Sequence, residues 1–462
     1  MELRGARVRS RAGLRRDKCR SGSGERQGTR RIRSRLRYEV GHRRMRRSMR
    51  AGPGSSMFSR QGLPLFATYL IWGTGSGAQT LGRSLFAFEL ENSIFLVTLL
   101  FAALGASRII SAPLTGFLTD RVGRKPLAVI GAFLRGAASF GVLYIDSYAA
   151  FFVLELIGNT GVSMWQTTSQ VVIADMSTPE NRGRAVAMRN SSMRLGQLIG
   201  PVLGGVIAVT WGLPQVFVVN GVSKFLVMFI TLYMIGETRP TRERRPAAER
   251  TTLRADLLPI VMSRAFIALA LTTIAATLIG QSMVQAMFPI AGKIEAGLIE
   301  SEIGLLITVA GIVTLLGSFP NGILVDRFGR KTSLVPGLLI AAGAATLLAT
   351  MDGFGSALLG MAVLGLAIAM TMGSTQAFAM DLAPEDKRGA FLGVWASFQS
   401  FGSAVGPLTA GAVAEIWGFG TAFIAAAAFL VVCALAMAAF GPETRSQRRR
   451  EVEAPSDAPG RE

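Results

Sequence analysis

The sequence predicts an all-α membrane protein with twelve transmembrane helices in two homologous six-helix bundles. Two observations support this fold class: a series of long apolar runs, and a repeat that spans most of the chain. Half of the 462 residues are hydrophobic, and the mean hydropathy is +0.41. A run of about 20 apolar residues can cross a bilayer as a helix, because a helix satisfies its own backbone hydrogen bonds where water is absent.

Twelve apolar runs of this kind follow one another along the chain. We expect helices at residues 63–88, 94–118, 127–145, 149–174, 185–209, 213–236, 264–290, 302–325, 332–351, 354–380, 389–413 and 417–440. The resulting domains are a basic N-terminal tail (1–60), an N-terminal bundle (61–236), a linker (237–263), a C-terminal bundle (264–441) and a C-terminal tail (442–462). Both tails are polar and are predicted to be disordered.

The repeat relates the two predicted bundles through a constant offset. The segment Gly116-Phe-Leu-Thr-Asp-Arg-Val-Gly-Arg-Lys returns as Gly322-Ile-Leu-Val-Asp-Arg-Phe-Gly-Arg-Lys, and 322 − 116 = 206. At the same offset Asp175 matches Asp381, and Trp211-Gly212 matches Trp417-Gly418. Two copies of one unit built around apolar segments are typical of secondary membrane transporters.

The charges between the predicted spans alternate along the chain, which indicates the orientation of the helices. One set of loops is basic and carries Arg121, Arg124, Lys125, Arg182, Arg184, Arg327, Arg330, Lys331 and Arg388. The other set is mainly acidic and carries Glu89, Glu91, Asp146, Glu295, Glu300, Glu302, Asp352 and Glu415. The positive-inside rule therefore predicts a multi-pass plasma-membrane protein with both termini and the 237–263 linker in the cytoplasm.

The residue inventory excludes several functional classes. Cys19 and Cys433 are the only cysteines and His42 is the only histidine, so we expect neither a disulfide framework nor a metal site. The sequence contains no G-x-x-x-x-G-K-[ST] loop for ATP and no nucleophile–base pair. We therefore expect a monomer that is not an enzyme and has no cofactor. Its partners are a small-molecule solute, protons and the lipid bilayer, with no nucleic acid.

The arginine-rich segment 1–56 allows two interpretations. Clustered arginines beside a first span can bind anionic lipid headgroups or nucleic acid. Alternatively, the segment has no function of its own, because Met45, Met49 and Met57 each offer a later start. We favour the second interpretation and assign no function to this tail.

The repeated ten-residue segment lies between helices 2 and 3 and again between helices 8 and 9. It resembles the G-x-x-x-D-R/K-x-G-R-R/K-R/K motif of the major facilitator superfamily, with Pro126 in place of the last cation. The resemblance implies that Asp120 contacts the start of helix 11 near Gly389, and that Asp326 contacts the start of helix 5 near Gly183. These contacts would close the cytoplasmic side in the outward-open state. The predicted gating latch comprises Gly116, Asp120, Arg121, Gly123, Arg124, Lys125, Gly322, Asp326, Arg327, Gly329, Arg330 and Lys331.

A second motif lies inside helix 5. Its residues, Gly196, Gly200, Pro201, Gly204 and Gly205, resemble the antiporter motif of proton-coupled exporters in this superfamily. Small residues four apart also allow close helix packing, and proline bends a helix. The partial repeat at Gly402, Gly406 and Pro407 favours a structural role, so the motif supports export only in part.

Helix 4 lacks the arginine that the family's proton relay would require, since Leu154 occupies that position. An acid, Glu155, lies beside it within the span. Ionisable residues inside a membrane span are expensive and usually functional. We predict that Glu155 carries or controls the coupling proton, with Arg135 and Arg83 as partners. The alternative is that Glu155 reaches the outer surface or pairs structurally with Arg135.

Polar residues at helical spacing follow one face of helices 1, 4 and 7, and fewer follow helix 10. The resemblance implies that these four helices line a central cavity. The predicted cavity residues are Tyr69, Trp72, Ser76, Gln79, Asn159, Gln166, Gln170, Thr277, Gln281, Gln285, Gln376 and Lys224. Met283, Met287, Met361, Met370 and Met372 are expected to supply an adaptable apolar wall in the second half.

Together these features predict a secondary transporter that resembles the drug/proton antiporter-type exporters of the superfamily. We expect alternating access and proton-coupled efflux of a small organic solute. The alternatives are a proton-coupled importer of an organic anion or metabolite, which the arginines of the first half favour, and a transport-inactive membrane sensor or scaffold.

Overall fold

The computed structural model describes residues 62–177, 181–235, 262–384 and 388–442. Within these ranges the chain is helical, with short connections and no strand. The predictions for the basic tail fall outside the described residues. The same holds for the linker at 237–261 and for the C-terminal tail beyond residue 442.

The first half contains six helices in chain order: α1 Gly62–Leu90, α2 Ile94–Val122, α3 Arg124–Gly141, α4 Tyr148–Met176, α5 Arg182–Trp211 and α6 Leu213–Met234. A single 3₁₀ turn, Val142–Tyr144, extends α3. Ser93 and Ser147 begin α2 and α4 by accepting backbone N–H groups with their hydroxyl oxygens. Most helices extend past the predicted spans by several residues, because their polar ends continue the helix beyond the apolar run.

The second half repeats this pattern with more distortion. Helix α7 comprises Arg264–Thr277, a π-helical segment Leu278–Met287, and Phe288–Ile294. Then follow α8 Glu300–Phe328, α9 Lys331–Ala349, α10 Phe354–Leu382 and a long helical segment Arg388–Phe440. The backbone of this last segment leaves helical geometry at Gly418 (φ 84°, ψ 166°), which separates α11 (388–417) from α12 (419–440).

Nine segments of the described chain are long and apolar enough to cross a membrane by length and composition. One of them, Phe391–Phe440, contains both α11 and α12. Helices α1 and α4, each of 29 residues, are not among the nine. They carry Arg83 and Glu155 in their interiors, and both residues belong to the site described below. The arrangement is the predicted all-α fold of two six-helix bundles.

Tight turns at glycine connect helices on both faces of the protein. Gly123 and Gly329 precede α3 and α9 with φ values of 115° and 97°. Gly212 and Gly418 separate α5 from α6 and α11 from α12 with φ values of 95° and 84°. Both pairs are related by the 206-residue offset. Only glycine adopts such angles without strain, so these turns explain four of the repeated glycines.

The helices of each bundle pack on one another in extensive pairwise contacts. In the first half, α1 packs against α5 and α6, and α3 packs against α4 and α6. In the second half, α7 packs against the α11–α12 segment. The halves meet where α2 contacts α11 and where α5 contacts α8. A continuous buried cluster crosses these interfaces and includes Phe86, Phe151 and Phe217 on one side and Met283 and Met287 on the other.

The halves are joined on the face that carries Glu89, Glu300 and Glu415, here called the acidic face. Lys293 Nζ lies 3.6 Å from Glu89 Oε1 and 2.7 Å from Glu300 Oε1. Glu415 Oε2 accepts the backbone N–H groups of Ile94 and Phe95 at 2.7 and 3.0 Å. A carboxylate is stabilised there because the N-terminus of α2 carries partial positive charge.

The opposite face, which carries Arg124 and Arg330 and is here called the basic face, is open between the halves. Among the residues that the structure describes, a methyl group placed on Gly116, Gly183 or Gly322 would meet no atom within 4 Å. The side chain of Asp326 is 81% exposed. The space between the bundles therefore opens towards the basic face.

Candidate functional site

A cavity of about 720 Å³ lies between the halves. Seven of the twelve residues predicted to line the solute cavity do so: Trp72, Ser76, Gln79, Asn159, Gln166, Gln281 and Gln285. Helices α2, α5 and α8 also contribute to its wall, in addition to the four predicted helices. The volume is in the range of pockets that hold small organic molecules.

The structure brings the three predicted coupling residues together at the wall of this cavity. Glu155 Oε2 lies 2.9 Å from Arg83 Nε and 3.2 Å from an Arg135 guanidinium nitrogen. Glu155 Oε1 lies 3.2 Å from the other terminal nitrogen of Arg135. The side chains of Glu155 and Arg135 are each only 2% exposed. The side chain of Arg83 is 20% exposed and reaches the cavity. The acid is thus a buried carboxylate paired with two guanidinium groups, and it does not reach the outer surface.

Amide side chains extend this cluster across the first bundle. Gln79 Nε2 donates to Glu155 Oε1 at 2.8 Å, and Gln79 Oε1 accepts from both Arg135 and Asn220. Asn220 Nδ2 also donates to the Ser139 hydroxyl at 2.8 Å. Helices α1, α3, α4 and α6 are therefore connected by one buried polar network, in which each lost partner would leave a buried group unsatisfied.

A second group of predicted residues forms an aromatic stack behind the cavity wall. Trp72 stacks on Trp165 with ring centroids 3.9 Å apart, and Tyr69 packs beside Trp165 at 5.0 Å. Lys224 Nζ lies 4.3 Å from the centre of the Trp72 ring and donates to the Trp72 carbonyl and the Ser76 hydroxyl. The Lys224 ammonium group therefore contacts α1 on the side away from the cavity and stabilises the position of its cavity-lining residues.

Five of the predicted cavity residues do not line the cavity. Tyr69 and Lys224 are fully buried behind Trp72. Thr277 faces Gly402 of α11 and donates to the Ile274 carbonyl. Gln170 and Gln376 lie exposed near the basic-face ends of α4 and α10, outside the cavity wall.

The predicted methionine wall is also wrong for most of its members. Met283, Met287 and Met361 are fully buried in the core, and only Met372 lines the cavity. Helical spacing places a side chain on a face of its helix, but it does not show which neighbouring helix covers that face.

Several residues of the site were missed from the sequence. Arg108 of α2 and Arg194 of α5 line the cavity; the sequence indicated a charged first-half wall that includes both but gave neither a specific role. Asn220 joins the polar network, and its position four residues before Lys224 on α6 was the available signal. In the second half, Asn321, Ser333 and Ser374 form a buried hydrogen-bonded cluster that no motif indicated.

The latch segments take the same conformation in both halves. Arg124 Nε lies 3.1 Å from Asp175 Oδ2, and Arg330 Nε lies 2.8 Å from Asp381 Oδ2. The two ion pairs are related by the 206-residue offset, yet no sequence pattern indicated that these residues pair. Asp326 faces Arg330 at 3.8 Å rather than the start of α5. The Asp120 side chain lies outside the described part of the structure.

The helix-5 motif packs α5 on two neighbours. Gly196, Gly200 and Gly204 lie directly against the backbone of α1 between Leu70 and Ala78. Gly205 lies against Glu300 and Ser301 at the start of α8, in the other half. The motif therefore supports both the internal packing of the first bundle and its contact with the second.

Comparison with known proteins identifies the class to which this fold and cavity belong. The family model of the Major Facilitator Superfamily matches residues 57–299 and 273–460. The chain belongs to this superfamily and is a multi-pass membrane transporter of small solutes, not an enzyme.

Individual relatives are more distant. "Multidrug resistance protein 2" of Bacillus subtilis (strain 168) is 23% identical over 321 residues, covering 69% of this chain and 79% of the relative. The "Tetracycline resistance protein, class C" of Escherichia coli is 28% identical over 355 residues, covering 72% and 84%.

Solved structures show the same fold. The nucleoside transporter NupG matches with a TM-score of 0.69 at 16% identity, covering 83% of this chain and 99% of that one. A D-xylose-proton symporter matches with a TM-score of 0.66 at 20% identity, covering 83% and 98%.

Proposed function

We propose that this protein couples the movement of a small organic solute to that of protons, with Glu155 as the residue that binds the coupling proton. The observation that carries the proposal is the buried contact of Glu155 with Arg83, Arg135 and Gln79 at the cavity wall. A carboxylate held by two cations in one conformation loses that stabilisation when the helices move apart, and it then takes up a proton.

The proposed transport cycle alternates between two closures. We assign the basic face to the cytoplasm from its arginine and lysine residues, so the described conformation is open to the inside. In this state Glu415 and Lys293 hold the acidic face closed. In the opposite state the latch closes the basic face, with Asp120 and Asp326 at the starts of α11 and α5.

Two directions of transport are supported by different observations. Export is the first candidate, because the helix-5 motif resembles that of exporters and two curated relatives are named for drug resistance. Import is the second candidate, because arginines of the first half dominate the charge of the cavity, as an organic anion would require. A sensor without transport activity is the remaining alternative.

The test is a screen of solutes in vesicles that contain the purified full chain. We expect at least one organic solute to be accumulated when a pH gradient is imposed, and the sign of the effective gradient gives the direction. Glu155→Gln copies the protonated acid, so it should abolish gradient-driven accumulation but retain exchange of solute across the membrane.

The outcomes separate the alternatives. Full gradient-driven accumulation by Glu155→Gln would show that the coupling site lies elsewhere. If no solute moves through the wild-type chain with or without a gradient, the transport proposal fails in favour of the sensor.

A further inference from the structure

The charges of the cavity are strongly unequal. Its inner wall carries four guanidinium groups, those of Arg83, Arg108, Arg135 and Arg194. The carboxylate of Glu155 contacts two of them, Arg83 and Arg135. Where the cavity opens at the basic face, Asp326 and Arg330 face each other and their opposite charges offset one another. Lys224 adds a further cation behind Trp72. The cavity is therefore cationic in its interior, and its field attracts anions and repels cations.

Two of these guanidinium groups are available to a solute. Glu155 occupies Arg83 and Arg135, whereas Arg108 and Arg194 form no ion pair with another described residue. Arg194 lies 12 residues into α5, roughly 18 Å from its start at the open face. Arg108 lies at the midpoint of α2. Both residues are exposed in the open cavity, so their guanidinium groups are accessible to a solute.

The remaining wall suits an apolar group. On the side of the second half it includes the apolar residues Val284, Ile307, Leu315, Ile368 and Met372, interspersed with uncharged polar residues such as Gln281 and Gln285. A solute that fills this cavity thus meets guanidinium groups on one side and aliphatic surface on the other. Guanidinium groups bind carboxylate, sulfonate or phosphate oxygens through paired hydrogen bonds.

We propose that the solute is an amphipathic organic anion whose acidic group binds to Arg108 and Arg194, and that it binds together with a proton on Glu155. The second part rests on the coupling role of Glu155 proposed above. The first part rests only on the cavity and can be tested separately.

The coupling follows from the groups that surround Glu155. The elements around it present cations and amides: Arg83 and Gln79 from α1, Arg108 from α2, Arg135 from α3, Arg194 from α5, and Asn220 and Lys224 from α6. An anion held by Arg108 and Arg194 adds a negative charge to the cavity beside Glu155. This charge disfavours the ionised carboxylate, which takes a proton from water onto one oxygen, so that the cavity keeps its charge. Anion and proton therefore move in the same direction, so this inference supports import, the second of the two directions considered above.

The experiment compares two probes with the same ring system and opposite charge, naphthalene-2-sulfonate and 2-naphthylmethylammonium. Equilibrium dialysis with the purified full chain measures their binding. Wild type should prefer the sulfonate. Arg108→Gln and Arg194→Gln should each weaken sulfonate binding about tenfold, as expected for the loss of one charge-assisted contact. Arg189→Gln is the matched control, because Arg189 lies on the same helix as Arg194 but outside the cavity wall, over the ring of Tyr69.

A charge reversal separates loss of selectivity from loss of folding. Arg194→Glu should bind the ammonium probe more tightly than the sulfonate, whereas a misfolded chain would bind neither. If wild type prefers the ammonium probe, or if the two glutamine variants bind the sulfonate as well as Arg189→Gln does, the anion proposal is overturned.

The joint binding of a proton is tested separately through the pH dependence of sulfonate binding, because the sulfonate probe stays ionised throughout the pH range used. Its affinity for wild type should rise as the pH falls, and its affinity for Glu155→Gln should not change with pH. A wild-type affinity that falls or stays constant on acidification would overturn joint binding while leaving the anion site intact. Selective sulfonate binding without any gradient-driven flux would instead contradict the proposed function.

Discussion

The two halves of this transporter share one backbone plan but differ in what they bury. Positions related by the 206-residue offset pair Glu155 with Met361, Arg135 with Ala341, Lys224 with Leu430, Arg83 with Pro289 and Asn220 with Ala426. In the first half these positions hold the polar network; in the second they hold buried apolar residues. The repeated turns and ion pairs therefore specify the fold, while the charged side chains of one half specify the site.

The first helices of the two halves differ in the same way. The segment of α1 at 72–81 is regular α-helix, but its counterpart in α7, Leu278–Met287, is a π-helix. Gly200 of α5 lies against the backbone of α1, whereas its counterpart Gly406 of α11 meets mainly side chains of α7. Since π-helical segments are frequent at functional sites, we interpret α7 as the more adjustable wall of the cavity.

The largest expected effect concerns the buried ion pair. Arg135→Ala removes the fully buried one of the two guanidinium groups that pair with Glu155, and breaking a buried ion pair in this way destabilises a protein by up to roughly 3–5 kcal/mol. Thermal unfolding of the detergent-purified full chain measures this effect.

The double variant Arg135→Ala/Glu155→Met copies the second half at these two positions and should regain most of the stability, because both members of the fully buried pair are removed and the remaining cation, Arg83, is 20% exposed to the cavity. It should remain inactive in gradient-driven transport. A double variant no more stable than Arg135→Ala would contradict the view that the network serves function rather than folding.

The next largest effect concerns two equivalent glycines: Gly200, where α5 packs on α1, and Gly406, where α11 packs on α7. A methyl group on Gly200 would lie 2.5–2.6 Å from backbone atoms of Thr74, Gly77 and Ala78. Backbone cannot rotate away, so Gly200→Ala should cost about 1–3 kcal/mol of stability. Gly406→Ala meets the Ser282 hydroxyl at 3.0 Å, which can rotate, and should cost less. Equal shifts of the unfolding temperature would show that the two interfaces are equally rigid.

The smallest expected effect is a loss of stability at the glycine turns before α3 and α9, and it should be equal in the two halves. Gly123 and Gly329 have positive φ and extended ψ values, which other residues adopt only with strain. Gly123→Ala and Gly329→Ala should therefore each lose on the order of 1 kcal/mol, measured by thermal unfolding. A loss confined to one of the two variants would contradict the equivalence of the turns.

Much of the fold could be predicted from the sequence, because hydrophobic length and the repeat both report on backbone geometry. The helices and the family were predicted correctly. The ion pairs Arg124–Asp175 and Arg330–Asp381 were not, although all four residues belong to the repeat. Their pairing depends on how the end of one helix meets the start of another, and spacing within a single helix carries no such information.

The site could be predicted only in part, for a related physical reason. The cluster of Glu155, Arg135 and Arg83 was predicted because ionisable residues in a span require partners. Thr277 and Met361 lie on helices that contribute to the site, but neighbouring helices cover them. Which face of a helix reaches a cavity is decided by the packing of the whole bundle.

The most direct test of the account is a count of the protons that the purified chain exchanges with solution when it binds a solute accumulated in the vesicle experiment. A pH indicator in weakly buffered solution gives this number for wild type and for Glu155→Gln. We predict that wild type takes up a proton as the solute binds and that Glu155→Gln takes up none. Equal proton uptake by the two proteins would contradict the role of Glu155.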